Sequence, residues 1–189
     1  MAEIDAAIKR DQEKDRHAKA GINKHIDIWT AIVPETVAQW TSMLELWERR
    51  DPGAPITVSM NTPGGHVTQG FALYDTIKRM QRKGHHFTIR GTGQVASMGS
   101  VIFQAGDCRI LDKNATFMIH EISIGGLEGK LSDIEEDAAH MKTLNERLLS
   151  ILAEKSNLTA REITRKSKKK EWYLSAEQAL EYGFADTVE

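Results

Sequence analysis

Cysteine is almost missing from this 189-residue chain: Cys108 is the only one. An internal disulfide framework is therefore excluded, and the count fits a reducing compartment, so a cytoplasmic location is expected. Long hydrophobic runs are missing too. None approaches the roughly 18 residues of a membrane span, so no membrane partner is expected. Charge of one sign is not in excess. A net charge of -2 argues against a dedicated nucleic-acid binder. The N-terminus (Glu3, Asp5, Lys9, Arg10, Asp11, Glu13) has no apolar core for a signal peptide. No His, Cys, Asp or Glu spacing supplies enough ligands for a metal, so neither metal nor cofactor is expected. Internal repeats and low-complexity linkers are also absent.

What is present is ordinary for a globular protein: 40% hydrophobic and 28% charged residues, enough for a proper core. Residues 1–20 carry too few large apolar side chains to bury a face and read as a charged arm. Residues 21–189 read as one domain. Ile22, Ile26, Ile28, Ala31 and Val33 alternate with polar residues, which predicts a strand over 22–33. Pro34 then sits where a helix starts, and Val37, Trp40, Leu44 and Trp47 follow at helical spacing. Asp51-Pro52-Gly53 stops that helix. A strand at 56–60, a turn at 62–65, a helix ending near Gly84 and a strand at Phe87 and Ile89 come next. Strand and helix alternate, the signature of a parallel sheet with crossover helices in an α/β fold. Two strands are expected at 108–112 and 116–120. A long helix over 131–155 carries Ile134, Ala138, Met141, Leu144, Leu148 and Leu152 on one narrow stripe. That stripe either packs on the sheet or another subunit, or belongs to an ordinary surface helix; the pattern alone favours neither. A shorter helix follows at about 159–166, and Ser175-Ala176-Glu177-Gln178 starts another that Gly183 stops. Trp29, Trp40, Trp47 and Trp172 are most simply core or interface residues.

Two segments carry candidate chemistry. In Gly93-Gln94-Val95-Ala96-Ser97-Met98-Gly99 a serine sits between a strand-like and a helix-like run. The N–H groups that open a helix have no partner within it and carry the positive end of its dipole. Ser97 is therefore either a helix cap or a nucleophile beside an oxyanion hole. His120 ends the apolar run Phe117-Met118-Ile119, and only the fold can bring it to Ser97. In Asn61-Thr62-Pro63-Gly64-Gly65 consecutive glycines let the backbone turn sharply and approach a ligand. By itself this segment reads as a plain turn between strand and helix.

Taken together, the motifs resemble the proteolytic subunits of the Clp protease, the ClpP family. Asn61-Thr62-Pro63-Gly64-Gly65 looks like the family's Asn-Ser-Pro-Gly-Gly turn. Gly93 to Gly99 looks like its nucleophile motif, and Met118-Ile119-His120 like its histidine motif. Leu174-Ser175-Ala176-Glu177-Gln178-Ala179-Leu180-Glu181-Tyr182-Gly183-Phe184-Ala185-Asp186 looks like its C-terminal signature. The resemblance covers about residues 22–189. It implies a ClpP/crotonase-like α/β fold with a protruding handle helix, the handle region spanning about 121–156. It implies a serine endopeptidase acting on polypeptides through an acyl-enzyme. Ser97 would be the nucleophile and His120 the general base, with the N–H groups of Gly65 and Met98 as oxyanion hole. Gly64, Gly125 and Gly126 would meet the substrate. It also implies homo-oligomeric rings, heptamers stacked face to face into a tetradecamer, and docking to an AAA+ unfoldase.

The chain departs from the family pattern at the third triad member, an aspartate a few residues before Leu-Ser-Ala. Counting forward from Ile163 puts Lys166 there, and counting back from Leu174 puts Ser167 there. Three arrangements remain open. Another carboxylate (Glu171, Glu162, Asp137 or Glu121) orients His120; the site is a Ser-His dyad; or Lys166 is itself the base. Glu121-Ile122 stands where the family usually has Gln-Pro, and residues 1–20 do not resemble its axial-pore segment. Such divergence suits a phage-type head-maturation protease. Two other readings are a weakly active or non-catalytic ring subunit, and a crotonase-fold acyl-CoA enzyme.

Overall fold

Strict alternation of buried and exposed residues defines the first strand, β1 (Lys24–Ile28), in a computed structural model that describes residues 24–123, 125 and 129–189. The expected arm at 1–20 and Gly126 lie outside the described residues. β1 is shorter than the predicted strand over 22–33. It pairs with β2 (Ile56–Thr62) only as far as Ile28 opposite Met60, and β2 then shifts register between Met60 and Thr62. Thr62 donates its hydroxyl to the Thr30 carbonyl at 2.7 Å, which holds the departing chain. Ile32 rejoins as a single bridge to Gly65.

Pro34 opens α1 (Pro34–Arg50), which buries Val37, Trp40 and Leu44. The next elements are α2 (Val67–Arg82), β3 (Phe87–Ala96), α3 (Met98–Phe103), β4 (Cys108–Leu111) and β5 (Thr116–Ile119). Then come α4 (Leu131–Glu154), α5 (Ala160–Ser167), β6 (Trp172–Ser175), α6 (Ala176–Glu181) and β7 (Thr187–Val188). The main path of the sheet is β1-β2-β3-β4-β7, all parallel. It is the α/β sheet with crossover helices that the alternating pattern predicts.

β3 is the strand that builds the site, because it forks. Thr88 to Gly91 pair with β4, and Gln94 to Ala96 pair with β5. At the fork Gly93 has φ 62°, and the Asn61 side-chain oxygen accepts the Gln94 N–H at 3.1 Å. Gly93 to Ala96 are thus strand, and only Ser97 lies between strand and helix. β6 closes the branch by pairing antiparallel with β5.

Behind the branch, Phe117 stacks on Phe184 (centroids 5.3 Å) and meets the edge of Phe103 at 6.0 Å. Arg109 locks the C-terminal segment. Its backbone N–H and Nε donate to Asp186 Oδ2 at 2.7 and 3.1 Å, and Nη1 donates to the Gly183 carbonyl at 3.1 Å. α4 rests on the body through its C-terminal half: Leu144, Leu148 and Leu152 are buried, and Leu149, Ile151 and Ala153 pack against the core. Of its predicted stripe, Ile134 and Met141 are half-buried and Ala138 is exposed. The N-terminal half of this 24-residue helix therefore stands clear of the domain. No described helix is long and apolar enough to cross a membrane.

Candidate active site

Ser97 has φ 54° and ψ -122°, backbone space that L-residues other than glycine rarely occupy. Such a conformation costs about 1–3 kcal/mol and persists only when its surroundings fix it. Here they do. The Ser97 N–H donates to the Met118 carbonyl at 2.9 Å, and the Ser97 carbonyl accepts the Ser100 N–H at 3.0 Å and the Ser100 hydroxyl at 2.6 Å. Ser97 occupies the cap position of α3, yet its side chain makes no capping hydrogen bond. The hydroxyl instead lies 2.7 Å from His120 Nε2. With Nε2 unprotonated, the hydroxyl donates and the ring accepts.

Three strand pairings set that distance. Ala96 sits beside Met118 in the β3–β5 ladder, so one residue further along β3 and two along β5 bring Ser97 and His120 together. The Gly64-Gly65 turn closes the other side. A Cβ on Gly64 would sit 2.6 Å from Ser97 Cβ and 2.9 Å from the Met98 nitrogen, so only glycine fits. Gly64 φ is 94°, which glycine also tolerates. The turn is pinned by Ile32 N–H to the Gly64 carbonyl at 2.9 Å and His66 N–H to the Ile32 carbonyl at 2.8 Å. Neither bond uses the Gly65 N–H, and Gly65 is exposed. Met98 is the first residue of α3, so its N–H has no intrahelical partner. Gly65, Ser97, Met98 and His120 line one cleft.

Apolar side chains complete that cleft: Val67, Ile122 and Leu148. Sequence reasoning did not assign them to a site. Leu148 was visible only as part of the α4 stripe. α4 also holds the segment after His120, because Asn145 Oδ1 accepts the Ile122 N–H at 3.3 Å. Gly125 is exposed, with nothing within 4 Å of where its Cβ would be.

Lys166 and Ser167, the residues counted onto the acid position, are engaged elsewhere. Lys166 Nζ donates to the Tyr182 hydroxyl at 3.2 Å and lies over the Tyr182 and Trp172 rings, 4.7 and 5.2 Å from their centroids. Ser167 is buried and donates to the Ile163 carbonyl at 2.9 Å. Of the carboxylates, Glu162 caps α5 through Thr159 and Asp137 is exposed on α4. Glu121 accepts the Lys169 N–H at 3.2 Å. Glu171 has a different relation to the site. β5 and β6 pair Thr116 with Ser175, Phe117 with Leu174, Met118 with Tyr173 and Ile119 with Trp172. His120 and Glu171 are the residues that follow this last pair, one on each chain, just outside the ladder. β5 lies between β3 and β6, so the chain at Ser97 runs on one side of it and the chain at Glu171 on the other. Among the described residues, His120 Nδ1 makes no hydrogen bond, and Glu171 accepts one from the Tyr173 hydroxyl. No group of three or more His, Cys, Asp or Glu side chains suited to a metal occurs among the described residues.

The family model described as "Clp protease" matches residues 9–189. The ATP-dependent Clp protease proteolytic subunit 2 of Chlamydia trachomatis serovar D is 36% identical over 140 residues. The match covers 73% of this chain and 66% of that relative. The same subunit from serovar A matches to the same extent. The aligned stretch thus spans just under two thirds of the length of these relatives.

Proposed function

The chain belongs to the Clp protease family, and on that premise we propose that it is a serine endopeptidase. Its substrates are polypeptides, cleaved through an acyl-enzyme inside a homo-oligomeric ring. The observation that carries this reading is the 2.7 Å hydrogen bond between Ser97 Oγ and His120 Nε2. A free serine hydroxyl is a weak nucleophile at neutral pH and needs a base at that distance.

The positions support the following mechanism. Ser97 Oγ attacks the scissile carbonyl as its proton passes to His120 Nε2. The carbonyl oxygen gains negative charge and is met by the N–H groups of Gly65 and Met98. Fixed donors at such a point are worth about 10²–10³ in rate each. Collapse expels the amine, which takes the proton from His120 and leaves an ester on Ser97. A water then attacks the ester, giving its proton to His120; collapse frees the carboxylic acid product as His120 passes that proton to Ser97 Oγ. Val67, Met98, Ile122 and Leu148 offer an apolar wall to the residue that donates the carbonyl. Gly125 and Gly126 take the role of substrate-backbone contacts; Gly64, expected among them, is buried with its N–H donated to Thr62 Oγ1 and its carbonyl accepting from Ile32, so it shapes the turn instead.

A weakly active ring subunit is the second reading, favoured by the absence of a partner on His120 Nδ1 among the described residues. Steady-state cleavage of a fluorogenic peptide by the pure protein separates the two. The proposal expects turnover in the parent that vanishes in Ser97→Ala. Equal rates in parent and Ser97→Ala, or none from the assembled parent, would count against it.

A further inference from the structure

We propose that Tyr173 is a positioning residue for His120, acting through Glu171. Its hydroxyl parks the Glu171 carboxylate, and rotation of Glu171 from Tyr173 to His120 Nδ1 completes the site. This rests on the serine-peptidase reading and concerns how that same site is switched on.

Three observations carry it. The β5–β6 ladder pairs Tyr173 with Met118 and ends at Ile119 opposite Trp172; His120 and Glu171 are the next residues beyond that last pair, one on each chain, and Lys169 N–H to Glu121 keeps the two chains together past it. Paired side chains in such a ladder have Cβ atoms about 4.5–5.5 Å apart, a gap of the scale a glutamate spans. The Tyr173 hydroxyl nevertheless holds the Glu171 carboxylate, and His120 Nδ1 has no partner among the described residues. Finally, both residues are exposed, with Tyr173 at 53%, so neither is locked by packing. The Glu171 hydrogen bond, with a smaller contribution from burial, raises the Tyr173 hydroxyl above its usual range. The phenol therefore stays a neutral donor.

The exchange has a chemical driving force. Before reaction, the carboxylate chooses between two neutral donors, the phenol O–H and an imidazole N–H. Once His120 has taken the Ser97 proton, Nδ1–H belongs to a cation. A charged donor to a carboxylate makes a hydrogen bond roughly twice as strong as a neutral one. The carboxylate then favours His120, which stabilises the imidazolium formed during attack. Other charges face this region: Glu121 beside His120, Lys169 and Lys170 before Glu171, and Lys142 along the groove next to Glu121. They set a common background that none of the variants below alters.

The test is the rate of fluorophosphonate labelling at Ser97 across pH, in the full chain. Four forms are compared: the parent, Tyr173→Phe, Glu171→Gln and the double variant. Tyr173→Phe is expected to label about fivefold faster, the worth of one competing hydrogen bond. Its acidic limb should shift to higher pH, because a nearby carboxylate favours the imidazolium. Glu171→Gln should label more slowly, and adding Tyr173→Phe to it should change nothing. Slower or unchanged labelling in Tyr173→Phe, or the same gain in the Glu171→Gln background, would overturn the proposal. Thermal melts matching the parent exclude misfolding as the cause. If Ser97 takes no label in any folded form, the serine-peptidase reading fails first and this inference falls with it.

Discussion

Ser97 pays for its geometry in backbone strain, and its neighbours are chosen to sustain it. Gly64 is the tightest of them. Gly64→Ala adds a Cβ 2.6 Å from Ser97 Cβ at φ 94°, so the turn must move. We expect a lower melting temperature and a large loss of Ser97 reactivity, measured together on the purified variant. Asp186 marks a different dependence. Burial pushes its carboxyl up, but the Arg109 hydrogen bonds and charge outweigh burial and hold it below the usual carboxylate range. A carboxyl depressed in the folded state stabilises the fold above its unfolded value, near pH 4, and that stability drains away as pH falls further. Acid unfolding should therefore show a smaller pH dependence below about pH 4 in Asp186→Asn than in the parent, and Asp186→Asn should be the less stable of the two at neutral pH. Ser97, His120, Gly64 and Gly65 were legible in the sequence because each sits in a compact local motif. Glu171 was visible only as one of four candidate carboxylates. Its nearness to the His120 strand depends on β5 pairing with β6 across some fifty residues of chain, which local spacing does not show.

Elements were legible where one period ran uninterrupted. α1, α2 and α5 fall within a few residues of their expected spans, because apolar spacing and start signals agree there. The strand over 22–33 came out short because alternation continued in sequence after pairing with β2 had ended at Ile28 opposite Met60. β3 came out longer than its apolar run, since Gly91 and Gly93 interrupt the pattern at a fork rather than at an end. Two stability changes follow. Thr159 accepts the Glu162 N–H at the start of α5, so Thr159→Ala should cost about 1 kcal/mol in denaturant unfolding. Leu152 is fully buried where α4 meets the body, so Leu152→Ala should cost about 2–5 kcal/mol.

At the scale of the whole molecule, α4 divides into a half that belongs to the domain and a half that does not. Leu131 is 72% exposed, and Ile134 lies on the same uncovered half. In the ring assembly proposed for this chain, that half is the surface that meets another copy. Ile134→Asp should therefore lower the mass of the particle in native mass spectrometry while leaving the protomer melt close to the parent. Leu144→Asp, at a buried position of the same helix, should unfold the protomer instead. The other half of α4 bears on the site within the protomer, since Asn145 holds the segment after His120 and Leu148 lines the cleft. The central claim is that Ser97 is the nucleophile, and the most direct test is where a β-lactone attaches. Intact mass and peptide mapping of the treated parent should give one adduct per chain, on Ser97, that is lost in Ser97→Ala and sharply reduced in His120→Ala. An adduct on another residue, or none on the folded, assembled parent, would contradict the account.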